Sequence, residues 1–211
     1  MKYSDDQKYW DKYWDENKNK NKFFNSLVAF AREYYFAKYF AKFIAKNYNI
    51  KGKTVCEIGV GSGLTLAYLK KWGARKCVGI DYSKEAIEMA KESNKECEFI
   101  YGDAFNLSDI PDKRFDLVYS LGFLEHYKKE DQLKLISGQK RIAQECVFIE
   151  VPYDIFYFRW LFAINRKLGR TTTFSDEELF TQKTFRELGL KGKSKLMPGS
   201  FFLTIGHFEY L

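Results

Sequence analysis

Val55-Cys56-Glu57-Ile58-Gly59-Val60-Gly61-Ser62-Gly63 is the stretch on which the fold turns. Its apolar half, residues 54–58, predicts a strand. A loop with glycine at every second position follows, and 64–72 then predicts a helix. Glycine lets a backbone turn sharply and lets a ligand approach with no Cβ in the way. The start of the following helix offers N–H groups that the helix itself cannot pair. Two phosphate-binding loops have this general shape, and neither fits. Dinucleotide loops read GxGxxG, and Leu64 stands where that pattern asks for Gly or Ala. A Walker A loop needs Gly-Lys-Ser/Thr, and no Lys follows Gly63. The bland alternative is a tight strand–helix turn that binds nothing.

Outward from this loop, short apolar runs alternate with helical periodicity. Strands are predicted at 77–80, 98–101, 115–120 and 146–151, and helices at 84–93 and 131–142. Alternation of this kind implies βαβ units and a parallel sheet with right-handed crossovers. Upstream, Phe24, Leu27, Val28, Ala31, Tyr35, Ala37 and Phe40 recur at helical spacing, with Lys38, Lys42 and Lys46 on a polar face. They predict one long helix over 23–47, ended by Asn47 and Gly52. Residues 1–22 read as a mobile or loosely helical arm. Downstream, 153–162 is strongly aromatic. Ser175 with Glu178 forms a capping-box pattern for a helix that continues through 180–188, with Thr184 as an alternative restart. Residues 190–197 and 200–210 predict a β-hairpin across Pro198-Gly199.

The 211 residues suffice for one α/β domain, and two would be cramped. The composition, 45% hydrophobic and 30% charged, is globular, and aromatic content of 18% can supply both core and an apolar pocket. The net charge of +7 admits nucleic acid or an anionic membrane surface as partner. The scattered lysines fit a solvated basic surface better. Cys56, Cys77, Cys97 and Cys146 form no CxxC pair and lie in or beside apolar runs, so free thiols, no structural zinc and a reducing, cytoplasmic location are expected. The polar opening residues read as no signal peptide, and no run reaches the roughly 18–20 apolar residues of a membrane span.

Two further acids follow the glycine loop. Asp81 ends the second predicted strand about twenty residues after the glycines, where a carboxylate can accept both hydroxyls of a ribose. As a helix N-cap, the bland alternative for Asp81, Ser83 serves better. Asp103, in Gly102-Asp103-Ala104-Phe105 after the third strand, can hold an adenine amino group while Ala104 and Phe105 wall the base. With Glu57, these acids fall at the C-terminal ends of successive strands, where open α/β sheets bind ligands.

On these motifs, over about residues 53–152, the chain resembles the class I S-adenosylmethionine (SAM)-dependent methyltransferases of the small-molecule type (methyltransferase type 11/25-like). Gly59-Val60-Gly61-Ser62-Gly63 resembles that family's first motif, and Asp81 matches its ribose-binding acid. Gly102-Asp103-Ala104 matches the adenine-side motif and Phe115-Asp116-Leu117-Val118-Tyr119-Ser120 the fourth strand. Leu124-Glu125-His126-Tyr127 resembles the Glu-His stretch of quinone- and lipid-type O-methyltransferases. The resemblance implies a Rossmann-like, doubly wound, seven-stranded α/β sheet, mostly parallel with an antiparallel C-terminal hairpin. An N-terminal helical cap (1–52) would precede the SAM-binding domain (53–211), with the aromatic insertion at about 153–174.

It also implies SAM as cofactor. SAM carries no phosphate but an ammonium, for which Glu57 before the loop is suited. The expected cofactor contacts are Glu57, Gly59, Gly61, Gly63, Asp81, Tyr82, Asp103, Ala104 and Ser120. Arg32 on the long helix is added as a bidentate partner for the methionine carboxylate. His126 is the candidate general base and Glu125 its supporting partner; the bland alternatives are a packed histidine and a charge at a helix start. Ser120-Leu121-Gly122-Phe123 stands where amino-directed methyltransferases carry Asn/Asp-Pro-Pro-aromatic, and no Pro-Cys pair follows. The expected acceptor is therefore a small molecule, methylated on an oxygen: a hydroxylated lipid, a quinone or a sugar. An RNA methyltransferase and a non-catalytic SAM-binding subunit are the alternatives. The aromatic insertion reads as lid, membrane contact or core.

Overall fold

The computed structural model describes residues 10, 12, 23–156, 159–160, 178–197 and 203–211, with backbone alone for 23–33. The rest of the predicted arm, Ser175 of the expected capping box, Pro198-Gly199 and most of the aromatic insertion lie outside the described residues.

A long helix, α1 (Phe23–Asn47), precedes the sheet. Ala37, Ala41 and Ile44 recur at helical spacing and are buried, while Lys38, Lys42 and Lys46 are exposed. Asn47 then turns its Nδ2 back to the Phe43 carbonyl at 2.7 Å, and Gly52 takes a φ of 73° in the turn that leads to the sheet. The succession that follows is β1 (Thr54–Ile58), α2 (Leu64–Lys71), β2 (Lys76–Asp81), α3 (Lys84–Ser93), β3 (Glu98–Tyr101), β4 (Phe115–Leu121), α4 (Lys129–Ile142) and β5 (Ala143–Pro152). The last elements are α5 (Gln182–Glu187), β6 (Lys193–Met197) and β7 (Thr204–Tyr210).

The sheet has seven strands in the order β3-β2-β1-β4-β5-β7-β6. Pairings among β1 to β5 are parallel, and β7 runs antiparallel to both β5 and β6. The chain winds outward from β1 through β2 to β3, then returns to place β4 on the other side of β1. That reversal opens a crevice beyond the C-terminal ends of β1 and β4.

Period-two alternation sends successive strand residues to opposite faces. Cys56, Ile58, Val118, Val147 and Ile149 pack with Leu135 and Ile136 of α4 and with Phe185 of α5. Val55, Leu117, Tyr119, Cys146 and Phe148 pack with Ala41 and Ile44 of α1 and with Leu66 and Leu69 of α2. Phe148 and Phe208 stack with ring centroids 4.3 Å apart across β5 and β7. Burying one such ring stabilises by roughly 1.5–3 kcal/mol. All four cysteines are free. No helix among the described residues is long and apolar enough to cross a membrane.

The starts of β5 and α5 depart from the sequence expectation. β5 begins at Ala143, directly after Ile142, because Ala143 already pairs with Phe115 ahead of an irregularity in the ladder. Residues 178–181 are not helical: Phe180 bridges Tyr153 beside β5, donating its N–H to the Pro152 carbonyl at 2.9 Å. Thr181 and Thr184 form a capping box, exchanging side-chain to backbone hydrogen bonds at 3.1 and 3.2 Å, so α5 starts at Gln182.

Candidate active site

A cavity of about 360 Å³ opens at the crevice between β1 and β4, and α1 supplies one of its walls. The glycine loop forms its floor. Gly59 has a φ of 70° and donates its N–H to the Ile80 carbonyl at 2.9 Å. A Cβ at Gly59 would lie 2.5 Å from Cδ2 of Phe123, in the loop after β4. Gly59→Ala therefore meets both a left-handed backbone and a ring that must move. It is expected to destabilise the protein by about 2–4 kcal/mol, read as a lowered midpoint in thermal unfolding.

Gly61 also lines the cavity and donates its N–H to Asp81 Oδ2 at 3.0 Å. Gly63 differs from the expectation. It does not line the cavity, because it turns its Cα hydrogens towards Ala90 and Phe99, each 3.1 Å from where a Cβ would sit. The third glycine serves close packing of α2 on its neighbours.

Asp81 is buried at the end of β2. Its Oδ1 accepts from Ser83 N and its Oδ2 from Gly61 N, both at 3.0 Å, so the carboxylate ties the β1 loop to the β2 loop. A carboxylate oxygen can accept more than one hydrogen bond, so bonds to the backbone are compatible with ligand hydroxyls as further donors. Ser83 caps α3 by accepting from Ala86 N at 3.3 Å. Tyr82, Asp103 and Ala104 line the same cavity, and Asp103 Oδ1 accepts from Phe105 N at 2.9 Å.

Glu57 lies on the floor and is almost completely buried. Burial pushes its carboxyl up to about 8, although the Tyr119 hydroxyl, donating to Oε2 at 2.9 Å, favours the ionised form. Sequence reasoning missed Tyr119 as its partner. The signal was available: Glu57 and Tyr119 stand opposite one another in the parallel β1–β4 register and share a face.

After β4, Leu121, Gly122, Phe123, His126 and Tyr127 continue the lining. Ser120 does not. It is fully buried on the opposite face, within 3.5 Å of the Gln139 amide on α4. Alternation along β4 turns Tyr119 and Leu121 towards the cavity side and Ser120 away from it. A second residue overlooked in the sequence is Glu150 on β5. Buried, with its carboxyl pushed up to about 7, it accepts from Gly122 N at 3.1 Å and holds that turn in place.

Leu124–His126 forms a 3₁₀ turn, fixed from behind by Gln132 Nε2, which donates to the Tyr127 carbonyl at 2.9 Å. His126 is buried and faces the cavity, where its ring meets Trp10 edge-on, with centroids 5.2 Å apart. Glu125 is buried behind the lining instead, and its carbonyl accepts from Glu178 N at 3.0 Å. From α1 come Phe36, Ala37 and Phe40. The Arg32 side chain lies outside the described residues.

Residues 56–145 match a family model described as a methyltransferase domain. Over this segment the chain is similar to the methyltransferase-domain family. Methyltransferases of this family use SAM as methyl donor. Ribosomal protein L11 methyltransferase of Dictyoglomus thermophilum is 36% identical over 104 residues, which are 47% of this chain and 32% of that protein. The chain thus spans about a third of the length of that relative. Among solved structures, the SAH-bound magnesium protoporphyrin IX methyltransferase of Synechocystis PCC 6803 superposes with a TM-score of 0.69 at 17% identity. That match covers 89% of this chain and 87% of the other. The complex between the Trm112 methyltransferase activator of Haloferax volcanii and a methyltransferase gives 0.69 at 16% identity over 95% of both chains. At these identities the structural likeness speaks for the methyltransferase fold alone.

Proposed function

We propose that the chain transfers the methyl group of SAM to an oxygen of a small hydroxylated acceptor, from the range of lipids, quinones and sugars. The observation that carries this reading is one continuous cavity. Glu57, Asp81 and Asp103, from the ends of β1, β2 and β3, line it together with His126. Glu57 takes the ammonium of the donor, Asp81 its ribose hydroxyls and Asp103 its adenine amino group, with Ala104 and Phe105 against the base. Gly59 and Gly61 admit the donor to the backbone, Tyr82 borders it, and Arg32 on α1 pairs with its carboxylate. Gly63 and Ser120 act at one remove, through packing and through Gln139, and Glu125 supports the turn that carries His126.

The reaction is an in-line displacement. The acceptor oxygen forms a bond to the methyl carbon, the carbon–sulfur bond breaks, and its electron pair stays on sulfur as a thioether. His126 takes the hydroxyl proton. The remaining contribution of the protein is to align the two reactants and exclude water. His126→Asn is expected to lower kcat by about a hundredfold or more, with the dissociation constant for S-adenosylhomocysteine unchanged. An unchanged kcat would remove His126 from the chemistry.

A second reading, a macromolecular acceptor, has in its favour the net charge of +7 and the relative whose name gives a ribosomal protein as substrate. It predicts transfer from labelled SAM into ribosomal fractions rather than into small hydroxylated compounds.

A further inference from the structure

We propose that the acceptor carries its reactive hydroxyl on an aromatic ring, and that Trp10 is the residue that holds that ring beside His126. This rests on the donor-site reading above and narrows its acceptor class. Trp10, Phe36, Phe40, Phe123 and Tyr127 all line the cavity with His126. Their rings are already organised. Phe123 and Tyr127 sit 5.1 Å apart, Tyr127 meets Phe105 edge-on at 5.4 Å, and Trp10 meets His126 at 5.2 Å with planes 74° apart. Phe123 is placed against the donor loop, because only a glycine at 59 leaves room for it. The aromatic wall and the donor loop are therefore in register.

A flat ring entering this space buries carbon against carbon and gains edge-to-face contacts on several sides. A sugar would bury several hydroxyls against ring carbons, each at a cost unless it found a partner. An aromatic hydroxyl offers one polar atom, and His126 is in place to receive its proton. Its acidity fits as well: a phenol gives up its proton far more readily than an aliphatic alcohol, which eases transfer to His126 within the displacement step. The bonds made and broken are those given above, with the phenolic oxygen as nucleophile.

The test uses 2-naphthol and decahydro-2-naphthol, nearly equal in size and each with one hydroxyl. Binding to the S-adenosylhomocysteine-loaded protein is measured by calorimetry for the wild type, Trp10→Leu and Trp10→Phe. The wild type is expected to prefer 2-naphthol by about tenfold. Trp10→Leu should lose most of that preference with unchanged S-adenosylhomocysteine affinity, and Trp10→Phe, which keeps a ring, should retain it. With labelled SAM, 2-naphthol should be converted to its methyl ether. Equal affinity for the two probes, no binding of either, or an undiminished preference in Trp10→Leu would overturn the proposal. Failure of S-adenosylhomocysteine itself to bind would instead defeat the donor-site reading beneath it.

Discussion

Asp81→Ala is expected to weaken S-adenosylhomocysteine binding by at least about a hundredfold. Two charge-assisted hydrogen bonds to ribose hydroxyls, at roughly 1.5–3 kcal/mol each, set that scale. The effect is larger than the loss of one contact because the carboxylate has two duties. It holds Gly61 N and Ser83 N at 3.0 Å, and so fixes the backbone that approaches the donor. Asp81→Asn separates the two, since its carbonyl can keep one of the backbone bonds while the charge is gone. It should retain the wild-type unfolding midpoint more closely than Asp81→Ala and still lose about tenfold in affinity. Wild-type affinity in Asp81→Ala would show that the ribose is held elsewhere.

Glu57 is expected to make both stability and donor affinity depend on pH, in opposite directions. Burial raises its carboxyl from 4.5 to about 8 in the folded protein. Between those values the folded chain keeps a proton that the unfolded chain has released. The contribution of Glu57 to stability is therefore full below about 4.5, falls as pH rises, and is gone above about 8. A cation against the carboxylate favours its ionised form, so donor binding expels the proton. Affinity should rise by up to about tenfold per pH unit from about 6 to 7.5, before the donor's own amino group begins to lose its proton near about 8.

Tyr119, Cys97 and Asp81 face the same carboxyl and would respond with it. Glu150, raised to about 7 by burial, titrates in the same window. The informative quantity is thus the difference between the wild type and Glu57→Gln. The variant should show a flatter stability profile and a flatter affinity profile. Parallel profiles for the two proteins would contradict the assignment of Glu57 to the ammonium.

The first five strands were legible because each is an apolar run bounded by turn chemistry, and the crevice was legible because its acids stand at strand ends. What escaped the sequence depends on direction and distance. Ser120 and Leu121 are neighbours on β4, and period two puts them on opposite faces. The strand alone does not tell which face meets the cavity. Three alternating glycines look equivalent in sequence, yet Gly59 and Gly61 border the cavity while Gly63 yields space to Ala90 and Phe99.

Glu150 sits in the apolar run of β5, where an acid reads as an exception rather than as the support of Gly122. Trp10 reaches His126 across more than a hundred residues of chain, and no local periodicity announces such a contact. The start of α5 depends on a long-range contact: the pairing of Phe180 with Tyr153 holds Phe180 beside β5, and the helix begins only after the Thr181 cap.

The central claim is that the crevice between β1 and β4 holds SAM through the three strand-end acids. The most direct measurement is calorimetric titration of the folded wild-type protein with S-adenosylhomocysteine at pH 7, in two buffers of different ionisation enthalpy. The account predicts one site per chain, micromolar or tighter, with proton release on binding that disappears in Glu57→Gln. A folded protein that takes up no S-adenosylhomocysteine under these conditions would contradict it.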